Sequence, residues 1–279
     1  MVKIFKKEKL NQSMTKMIIN APSIAKKAKA GQFIILKVNE FGERIPLTIS
    51  DYNAKNGTVT IVYQVVGKTT SLLDTLNEGE YILDFVGPLG KATETNGYKK
   101  VAVIGGGAGC AIALPQAKEL FQSGTDVDII AGFRNKDIVI LEEDMKKVCN
   151  NLIIMTDDGS NGNKGFVTDA LKKQLDSGSN YNLVIAIGPL PMMKAICDLT
   201  LKYKIKTIVS MNPIMIDGTG MCGGCRLTVS GKQKFACVDG PDFDGHQVDF
   251  DEAIKRLGAY KKEEQNSLKE HNCNLMKGL

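Results

Sequence analysis

The sequence lacks a long, uninterrupted apolar run. Its most apolar stretch, residues 101–114, is broken by four glycines and follows Lys99 and Lys100 directly. Spanning a bilayer takes about 20 consecutive apolar residues, so we expect no membrane segment. Residues 1–9 alternate apolar with charged side chains and have no apolar core like that of a secretory signal. The sequence therefore predicts a protein with neither a membrane span nor an export signal.

The cysteines lack the pairing of a disulfide framework. There are seven, an odd number, and Cys110, Cys149, Cys197 and Cys273 have no cysteine nearby. We interpret these four as reduced thiols that are buried or incidental. Such usage is typical of a reducing compartment, so we expect a cytoplasmic protein.

Excess positive charge and nucleophilic catalytic sets are also lacking. Lys and Arg number 36 against 31 Asp and Glu, which gives a net charge of +5. So small an excess, mostly lysine, does not indicate a nucleic-acid partner. With only two histidines, no Ser-His-Asp arrangement is evident, and we predict no catalytic side chain of that kind. At 279 residues the chain is long enough for two or three small domains.

Short strands separated by turns are predicted over residues 1–97. β-branched runs occupy residues 32–38, 45–50 and 57–66, and glycines mark the turns between them. One helical segment interrupts the strands, beginning near Thr69. Several strands at this spacing predict a barrel or sandwich.

Residues 67–71, Gly-Lys-Thr-Thr-Ser, lie where a predicted strand passes into that helix. Amides and hydroxyls at a helix amino terminus favour an anionic group such as a pyrophosphate. The alternative is that Thr69 merely caps its own helix. Arg44 offers a similar choice between a bidentate phosphate contact and plain solvation.

Residues 98–211 alternate strand and helix as a parallel sheet requires. Five apolar runs, starting at residues 100, 126, 151, 182 and 205, have helical stretches between them. This pattern predicts an α/β doubly wound nucleotide-binding domain. The strand from residue 100 ends in a turn that would place a dinucleotide phosphate on a helix amino terminus; its glycines are Gly105, Gly106, Gly107 and Gly109. The alternative is a tight turn without a ligand.

The choice between NAD and NADP stays open. The second strand of this domain runs into Arg134, Lys136 and Asp137. The two cations suit a 2′-phosphate, whereas the acid suits a ribose diol. Either nucleotide is compatible with this segment.

Four anionic side chains gather in residues 212–250: Asp217, Cys222, Cys225 and Cys237. Two short strands around residues 230–231 predict a hairpin that returns Cys237 toward the other two cysteines. Such a set suits an iron–sulfur cluster or a tetrahedral metal. A zinc ribbon normally pairs two C-x-x-C turns, whereas this segment has one. The alternative for Asp217 is that it caps a turn and is not a ligand.

The end of the chain carries no chemistry that we can assign. Residues 242–247 are predicted to form a polar loop on which His246 is exposed, and a helix begins near Asp249. A Lys/Glu-rich tail follows, expected to be solvated or in contact with a partner. We therefore divide the chain into four regions: 1–97, 98–211, 212–250 and 251–279.

The first region resembles a known family. Residues 44–49 (Arg-Ile-Pro-Leu-Thr-Ile), 67–71 and 87–90, in this order ahead of a glycine-rich turn, are similar to the FAD-binding β-barrel of the ferredoxin–NADP reductase superfamily. The usual Arg-x-Tyr-Ser motif is altered here. The resemblance implies bound FAD with the following contacts: Thr48 near flavin N5, Pro46 and Leu47 where an aromatic side chain would stack, and Arg44, Gly67, Lys68, Thr69 and Thr70 at the pyrophosphate. Gly188 and Pro189, after the fourth strand of the second region, resemble the superfamily's loop beside the nicotinamide, and Met192 and Met193 are expected to pack in the next helix.

Residues 212–250 resemble the cluster domain of the dihydroorotate dehydrogenase electron-transfer subunit, whose first ligand is a cysteine. Asp217 in that place is more similar to the small subunit of the electron-bifurcating NADH-dependent reduced ferredoxin:NADP oxidoreductase, in which one Asp and three Cys hold a 2Fe-2S cluster.

This resemblance implies an electron-transfer subunit with FAD, a 2Fe-2S cluster and NAD(H) or NADP(H). The implied partner is a larger FAD/4Fe-4S subunit related to the glutamate synthase small subunit, and ferredoxin is served through that complex. Two alternatives stay open: a subunit for dihydroorotate oxidation, which Asp217 disfavours, and a zinc-stabilised nucleotide-binding regulatory module.

Overall fold

The computed structural model describes residues 1–277, with side-chain surroundings as far as Lys269. The strands are β1 Val2–Lys9, β2 Met14–Asn20, β3 Phe33–Lys37, β4 Arg44–Asn53, β5 Thr58–Gln64, β6 Tyr81–Ile82, β7 Asp84–Leu89, β8 Lys100–Gly106, β9 Asp126–Phe133, β10 Asn151–Thr156, β11 Leu183–Ile187, β12 Thr207–Ser210, β13 Arg226–Val229, β14 Lys232–Phe235 and β15 Asp242–Asp244. The helices are α1 Pro22–Ala25, α2 Lys68–Thr75, α3 Gly109–Gln122, α4 Glu142–Lys146, α5 Val167–Asp176, α6 Leu190–Lys202, α7 Ala236–Asp239, α8 Phe250–Leu257 and α9 Lys261–Lys277.

The amino-terminal region forms a seven-stranded antiparallel sheet in the order β6-β1-β2-β5-β4-β3-β7. The sheet curls into a half-barrel around a core to which β2 contributes Met17 and Ile19, and β5 contributes Ile61 and Tyr63. These side chains recur at every second position, as a strand with one buried face requires. The predicted β-barrel domain is confirmed in this form.

Strand β3 is buried on both faces and joins two cores. Ile34 and Leu36 lie in the barrel core. Phe33 and Ile35 instead pack in a second core, which contains residues of the α/β sheet and of the cysteine segment. Because alternate side chains of a strand point to opposite faces, β3 forms the wall between the barrel and the rest of the molecule.

The middle region forms a six-stranded sheet in the order β10-β9-β8-β11-β12-β15. The first five strands are parallel, and the chain order reverses between β8 and β11, as in a doubly wound fold. The predicted α/β domain is confirmed. Its central strands are almost fully enclosed, since residues 183–187 are at most 2% exposed, and the carboxyl ends of β8 and β11 meet at one edge.

The sixth strand was not expected. Residues 242–244 form β15, which pairs antiparallel with β12 through Ser210 and Asp242. The prediction of a polar loop at this point is therefore wrong. The three residues Asp-Phe-Asp are too few to show the alternation that indicates a strand. They form one because they pair with β12, a strand that lies far from them in the sequence.

The cysteine segment and the chain end follow the prediction more closely. Strands β13 and β14 pair as the expected hairpin, and Cys225, Leu227 and Cys237 pack in the same core as the α/β sheet. Helix α8 begins after Asp249, whose carboxylate accepts a hydrogen bond from the Glu252 amide at 2.9 Å. The predicted tail contains a further helix, α9. Among the helices described, none has the length and apolarity that crossing a membrane requires.

The remaining cysteines and His246 lie mostly inside. Cys110 and Cys197 are buried, and burial raises the pKa of both thiols to about 12. Cys149 is partly buried, and Cys273 lies outside the residues whose side chains are described. The expectation of an exposed His246 is wrong, because its side chain is only 14% exposed and its Nε2 lies 3.0 Å from Thr200 Oγ1.

Candidate functional site

Strand β4 presents its predicted flavin contacts on two different faces. Pro46 and Thr48 lie opposite Ile35 and Phe33 of β3, so they share the face that looks toward the α/β sheet and the cysteine segment. Leu47 instead packs against the barrel core and is only partly buried. One strand therefore offers Thr48 to the space between the domains and Leu47 to the mouth of the barrel.

Arg44, at the start of β4, reaches the cysteine segment. Its Nε donates a hydrogen bond to the Ile216 carbonyl at 2.8 Å, and its guanidinium lies 3.9 Å from Asp84. The side chain is about one-third exposed, so donors remain available. Its contact with a pyrophosphate stays a prediction, and the structure adds that Arg44 holds the residue preceding Asp217.

The amino terminus of α2 has the form of an anion site. The Thr70 hydroxyl accepts hydrogen bonds from the amides of Val66 and Gly67 at 3.1 and 3.0 Å. Thr70, and not Thr69, is thus the capping residue, while Thr69 is buried. No atom lies within 4 Å of the place that a Cβ of Gly67 would take. The first-turn amide of Lys68 has no acceptor among the residues that the structure describes.

The glycines after β8 serve close packing and an open turn. A Cβ at Gly105 would lie 2.7 Å from Cys110 Cα, and one at Gly109 would lie 2.2 Å from the Ile187 carbonyl oxygen. Gly107 differs, since its φ is +55° and nothing lies within 4 Å of its Cβ position. Helix α3 is thereby held against β11, while the turn itself stays accessible to a ligand.

The loop after β11 lies directly beside this turn. A Cβ at Gly188 would be 3.2 Å from Gly106 Cα, and Met192 fills the space next to both glycines. A Cβ at Gly106 would also lie 3.1 Å from Pro189. Met192 and Met193 pack as predicted, since Met193 is 1% exposed. The two segments predicted to contact the nucleotide are brought together at the carboxyl edge of the sheet.

Arg134 lies at the same edge, after β9. Its side chain is exposed, as are those of Lys136 and Asp137. The Arg134 carbonyl accepts a hydrogen bond from the Asp158 amide at 3.3 Å. The exposed guanidinium is free to meet a ligand at the edge, and the choice between NAD and NADP stays open.

Asp217 and Cys222 form one pair in the cysteine segment. The Asp217 carboxylate accepts hydrogen bonds from the amides of Thr219 and Cys222, each at 2.7 Å. These bonds lower the pKa of Asp217, the Thr219 amide contributing most. The turn-capping role considered for Asp217 is therefore present, and it keeps the carboxylate ionised beside an exposed thiol.

Cys225 and Cys237 form the second pair. Their sulfurs lie 3.2 Å apart, and both residues are at most 2% exposed. Burial and the adjacent Cys225 raise the pKa of Cys237 to about 12. Among the described residues no three Cys, His, Asp or Glu side chains surround a single ion position. The contacts join the four predicted ligands in two pairs, Asp217 with the Cys222 amide and Cys225 with Cys237.

The cluster loop, residues 217–225, lies against the barrel. Gly218 has a φ of +78°, and a Cβ there would be 2.7 Å from Leu89 and 2.9 Å from Ile35. The chain that follows Cys237 is attached at the barrel exit as well, since the Lys91 amide donates to the Gly240 carbonyl at 2.7 Å. The loop that bears Asp217 is thus packed on the face of the barrel that carries Thr48.

The comparisons with known proteins agree with this arrangement. Residues 212–249 match the iron–sulfur cluster binding domain of dihydroorotate dehydrogenase B, and residues 103–198 match an oxidoreductase NAD-binding domain. A dihydroorotate dehydrogenase B electron transfer subunit homolog from Thermotoga maritima is 45% identical over 264 residues, covering 95% of this chain and 93% of that protein. The chain belongs to the family of dihydroorotate dehydrogenase B electron transfer subunits.

Two solved structures extend the comparison. The chain is 43% identical to a chain of the NADH-dependent reduced ferredoxin-NADP oxidoreductase, with a TM-score of 0.92 and 97% of each chain covered. A cytochrome P450 reductase of Amycolatopsis, at 20% identity and a TM-score of 0.61 over 73% of this chain and 66% of that chain, shares the fold. The chain therefore has a reductase fold with an NAD-binding domain and an iron–sulfur domain, and it is a subunit of an electron-transferring oxidoreductase.

Sequence reasoning missed one group of residues at the domain junction: Thr93, Gln116 and Asp242. The Thr93 hydroxyl donates to Asp242 Oδ2 at 2.5 Å, and Gln116 Nε2 donates to Thr93 Oγ1 at 2.8 Å. One signal was available in the sequence. Gln116 is a polar residue between the apolar positions Ala113 and Ala117 of a helix, and it proves to be fully buried.

Proposed function

We propose that this chain is the small subunit of an NAD(P)H:ferredoxin oxidoreductase complex of the electron-bifurcating kind, acting in the cytoplasm. The observation that carries the proposal is the packing of the cluster loop, with Asp217 at its start, on the face of the barrel that bears Thr48. Its similarity over 97% of both chains to a protein studied for flavin-based electron bifurcation supports the same conclusion.

The FAD site is assigned to the barrel rim. Gly67, Lys68 and Thr69 offer amides at a helix amino terminus, and Thr70 fixes the start of that helix through its hydroxyl. A pyrophosphate is the anion that such an end favours. Thr48 would donate its hydroxyl toward flavin N5, and Pro46 and Leu47 would border the ring. Arg44 would add charge-assisted contacts.

The nucleotide is assigned to the opposite wall of the same space. Gly107 leaves the turn open, while Gly105, Gly106 and Gly109 allow α3 to approach β11. Gly188 and Pro189 adjoin this turn, and Arg134 stands exposed at the edge. Bound there, the nicotinamide and the flavin would supply hydride exchange, and the cluster would supply one-electron transfer from the flavin.

The cluster is assigned to Asp217, Cys222, Cys225 and Cys237. Cys225 and Cys237 are buried with their sulfurs 3.2 Å apart, and burial raises the pKa of the Cys237 thiol to about 12. Bound iron would supply the positive charge that makes this buried pair of sulfurs favourable as ligands. A carboxylate ligand is harder than a thiolate, so its iron should have a potential different from that of an all-cysteine cluster.

A larger partner subunit follows from this assignment, because electrons that reach the cluster must leave the chain, and Cys222 is an exposed ligand. The curated relative is named as an electron transfer subunit, which supports assembly with a second subunit. We assign the partner to the FAD/4Fe-4S class related to the glutamate synthase small subunit, with ferredoxin reduced through the complex. A dihydroorotate-oxidising partner is the second candidate, favoured by the match of residues 212–249.

Purification under anaerobic conditions from the native source tests the proposal. We expect a coloured complex with flavin, iron and sulfide, which NADH or NADPH reduces and which transfers electrons to ferredoxin. A colourless chain containing zinc would overturn the redox assignment. Co-purification with a dihydroorotate-oxidising subunit, and no ferredoxin activity, would support the second candidate instead.

A further inference from the structure

The carboxyl group of Asp242 joins three parts of the molecule. Asp242 begins β15, five residues after Cys237, and its Oδ2 accepts hydrogen bonds from Thr93 Oγ1 at 2.5 Å and from Gln116 Nε2 at 3.3 Å. Thr93 lies on the segment leaving the barrel, and Gln116 lies on α3, the helix that follows the glycine turn. One side chain therefore connects the cluster segment with the barrel exit and the nucleotide helix.

Backbone contacts hold the same junction. The Thr93 amide donates to the Ala30 carbonyl at 3.0 Å, and the Met211 amide donates to the Pro241 carbonyl at 2.9 Å. A Cβ at Gly31 would lie 2.1 Å from Thr93 Oγ1 and 3.2 Å from Asp242 Oδ2. The space around the carboxyl group is closed on the barrel side, so its position is determined by its neighbours.

Two buried hydrogen-bond acceptors at this junction have no donor within the part of the chain that the structure describes. Asp242 Oδ1 and Gln116 Oε1 are both buried, and neither has a hydrogen-bond partner among the described residues. Both are acceptors when the carboxyl group is ionised. Leaving buried polar atoms unpaired is costly. One proton on Oδ1 would turn two unpaired acceptors on neighbouring side chains into a possible donor–acceptor pair.

Neighbouring charges do not account for the state of this carboxyl group. Burial raises the pKa of Asp242 to about 6, while the nearby hydroxyl groups of Thr93 and Ser210 act to lower it. Two other carboxylates lie on the same elements. Glu119 on α3 accepts a hydrogen bond from the Thr95 hydroxyl at 3.0 Å, and Asp244 on β15 is exposed. No Lys or Arg within the described part of the chain forms a salt bridge with Asp242. An ionised Asp242 is thus a buried charge without a cation.

We infer that Asp242 is a positioning residue, which holds the cluster segment against the barrel and α3 most firmly when its carboxyl group is neutral, with Oδ1 donating to Gln116. This inference rests on the proposed function in so far as the segment carries the cluster. Ionisation weakens the junction and places a negative charge five residues from a cluster ligand. The cluster should then become harder to reduce.

The test compares wild type with Asp242→Asn, whose amide mimics the donor and acceptor of the neutral acid at every pH. Exposed Asp198 on α6 supplies the control, Asp198→Asn. The folded chain holds its proton more tightly than an unfolded one, whose aspartate has a pKa of about 4. Wild type should therefore lose stability relative to Asp242→Asn as pH rises from about 4 to about 6, by about 100-fold in the ratio of unfolding constants. Asp198→Asn should follow the wild-type curve.

Two further readouts separate positioning from bulk structure. In the chain with its cofactors, the cluster midpoint potential of wild type should fall as pH passes through 6 and that of Asp242→Asn should stay flat. Thr93→Val removes a hydrogen bond that lowers the pKa of Asp242. The transition in this variant should therefore occur at a higher pH than in wild type. Parallel pH curves for wild type and Asp242→Asn in both measurements would overturn the inference. A wild-type chain without iron would defeat the proposed function instead, and the unfolding curves would still decide the role of Asp242.

Discussion

Replacing Gly109 by alanine tests the contact on which the nucleotide turn depends. The new Cβ would lie 2.2 Å from the Ile187 carbonyl oxygen and 3.0 Å from Gly188 Cα. Carbon–oxygen contacts in proteins are normally about 3.3 Å or longer, so α3 must move away from β11 by about 1 Å. The opposing atoms are backbone and cannot rotate aside.

The cost can be estimated from this geometry. Overpacking a core costs about 1–3 kcal/mol, and the rigid neighbours of Gly109 place it near the upper end. Alanine regains at most about 1 kcal/mol of helix propensity. We therefore expect Gly109→Ala to lower the free energy of unfolding by about 2 kcal/mol, and to weaken nucleotide binding at least about tenfold because the phosphate-binding amides shift.

Gly107→Asn is the matched control in the same turn. Its φ is +55° and its Cβ position is open, and asparagine tolerates that conformation, so stability should change little while the side chain obstructs the ligand. The chain has no tryptophan, so circular dichroism follows urea unfolding, and calorimetry with NADH and NADPH measures affinity. An unfolding free energy for Gly109→Ala within about 0.5 kcal/mol of wild type would refute the packing argument. Unchanged nucleotide affinity in both variants would refute the assignment of the turn.

Three further changes test other parts of the site. Asp217→Cys should keep a cluster but shift its midpoint potential in a redox titration followed by electron paramagnetic resonance; an unchanged potential would speak against ligation by Asp217. Thr70→Val removes the cap of α2 and should cost about 1 kcal/mol together with faster loss of FAD on gel filtration. Tyr181→Phe removes a 2.7 Å hydrogen bond to buried Asp128 at the opposite edge of the sheet. It should cost about 1–2 kcal/mol in urea unfolding and leave nucleotide affinity unchanged.

The α/β domain could be predicted because its strands are recognisable in isolation. Residues 101–104 and 183–187 are apolar runs that are buried completely or almost so, and strands covered on both faces produce such runs. The glycine turn follows the first of them without a gap. Local sequence and global fold agree here, so reading one segment at a time was enough.

Strand β15 and the Asp242 junction could not be predicted in this way. The residues that define the junction come from positions 93, 116 and 242, and nothing within a short window links them. Their pairing depends on how β12 ends and where Pro241 docks, since the Met211 amide binds the Pro241 carbonyl. Contacts of this sequence separation are a property of the tertiary structure, which no local periodicity encodes.

The barrel-rim residues show a finer difference. The sequence indicated an anion site at residues 67–71, but the capping hydroxyl belongs to Thr70 because α2 begins at Lys68. A shift of one residue in a helix start decides which threonine faces the amides. Adjacent side chains of a strand point to opposite faces, so Pro46 and Leu47 of β4 lie on different sides of the sheet. A single ligand must pass around the edge of the strand to contact both.

Gly218 explains how the cluster loop can lie so near the barrel face that carries Thr48. Its missing side chain lets the loop rest on Ile35 and Leu89, and Ile35 is the cross-strand neighbour of Pro46. Any other residue at this position would have to adopt a left-handed backbone, and its Cβ would crowd the ends of the Ile35 and Leu89 side chains. Electron transfer between separate centres depends on a short, constant separation. Under the proposed function, Gly218 acts by keeping this separation short, and Arg44 on β4 supports it by donating a hydrogen bond to the Ile216 carbonyl.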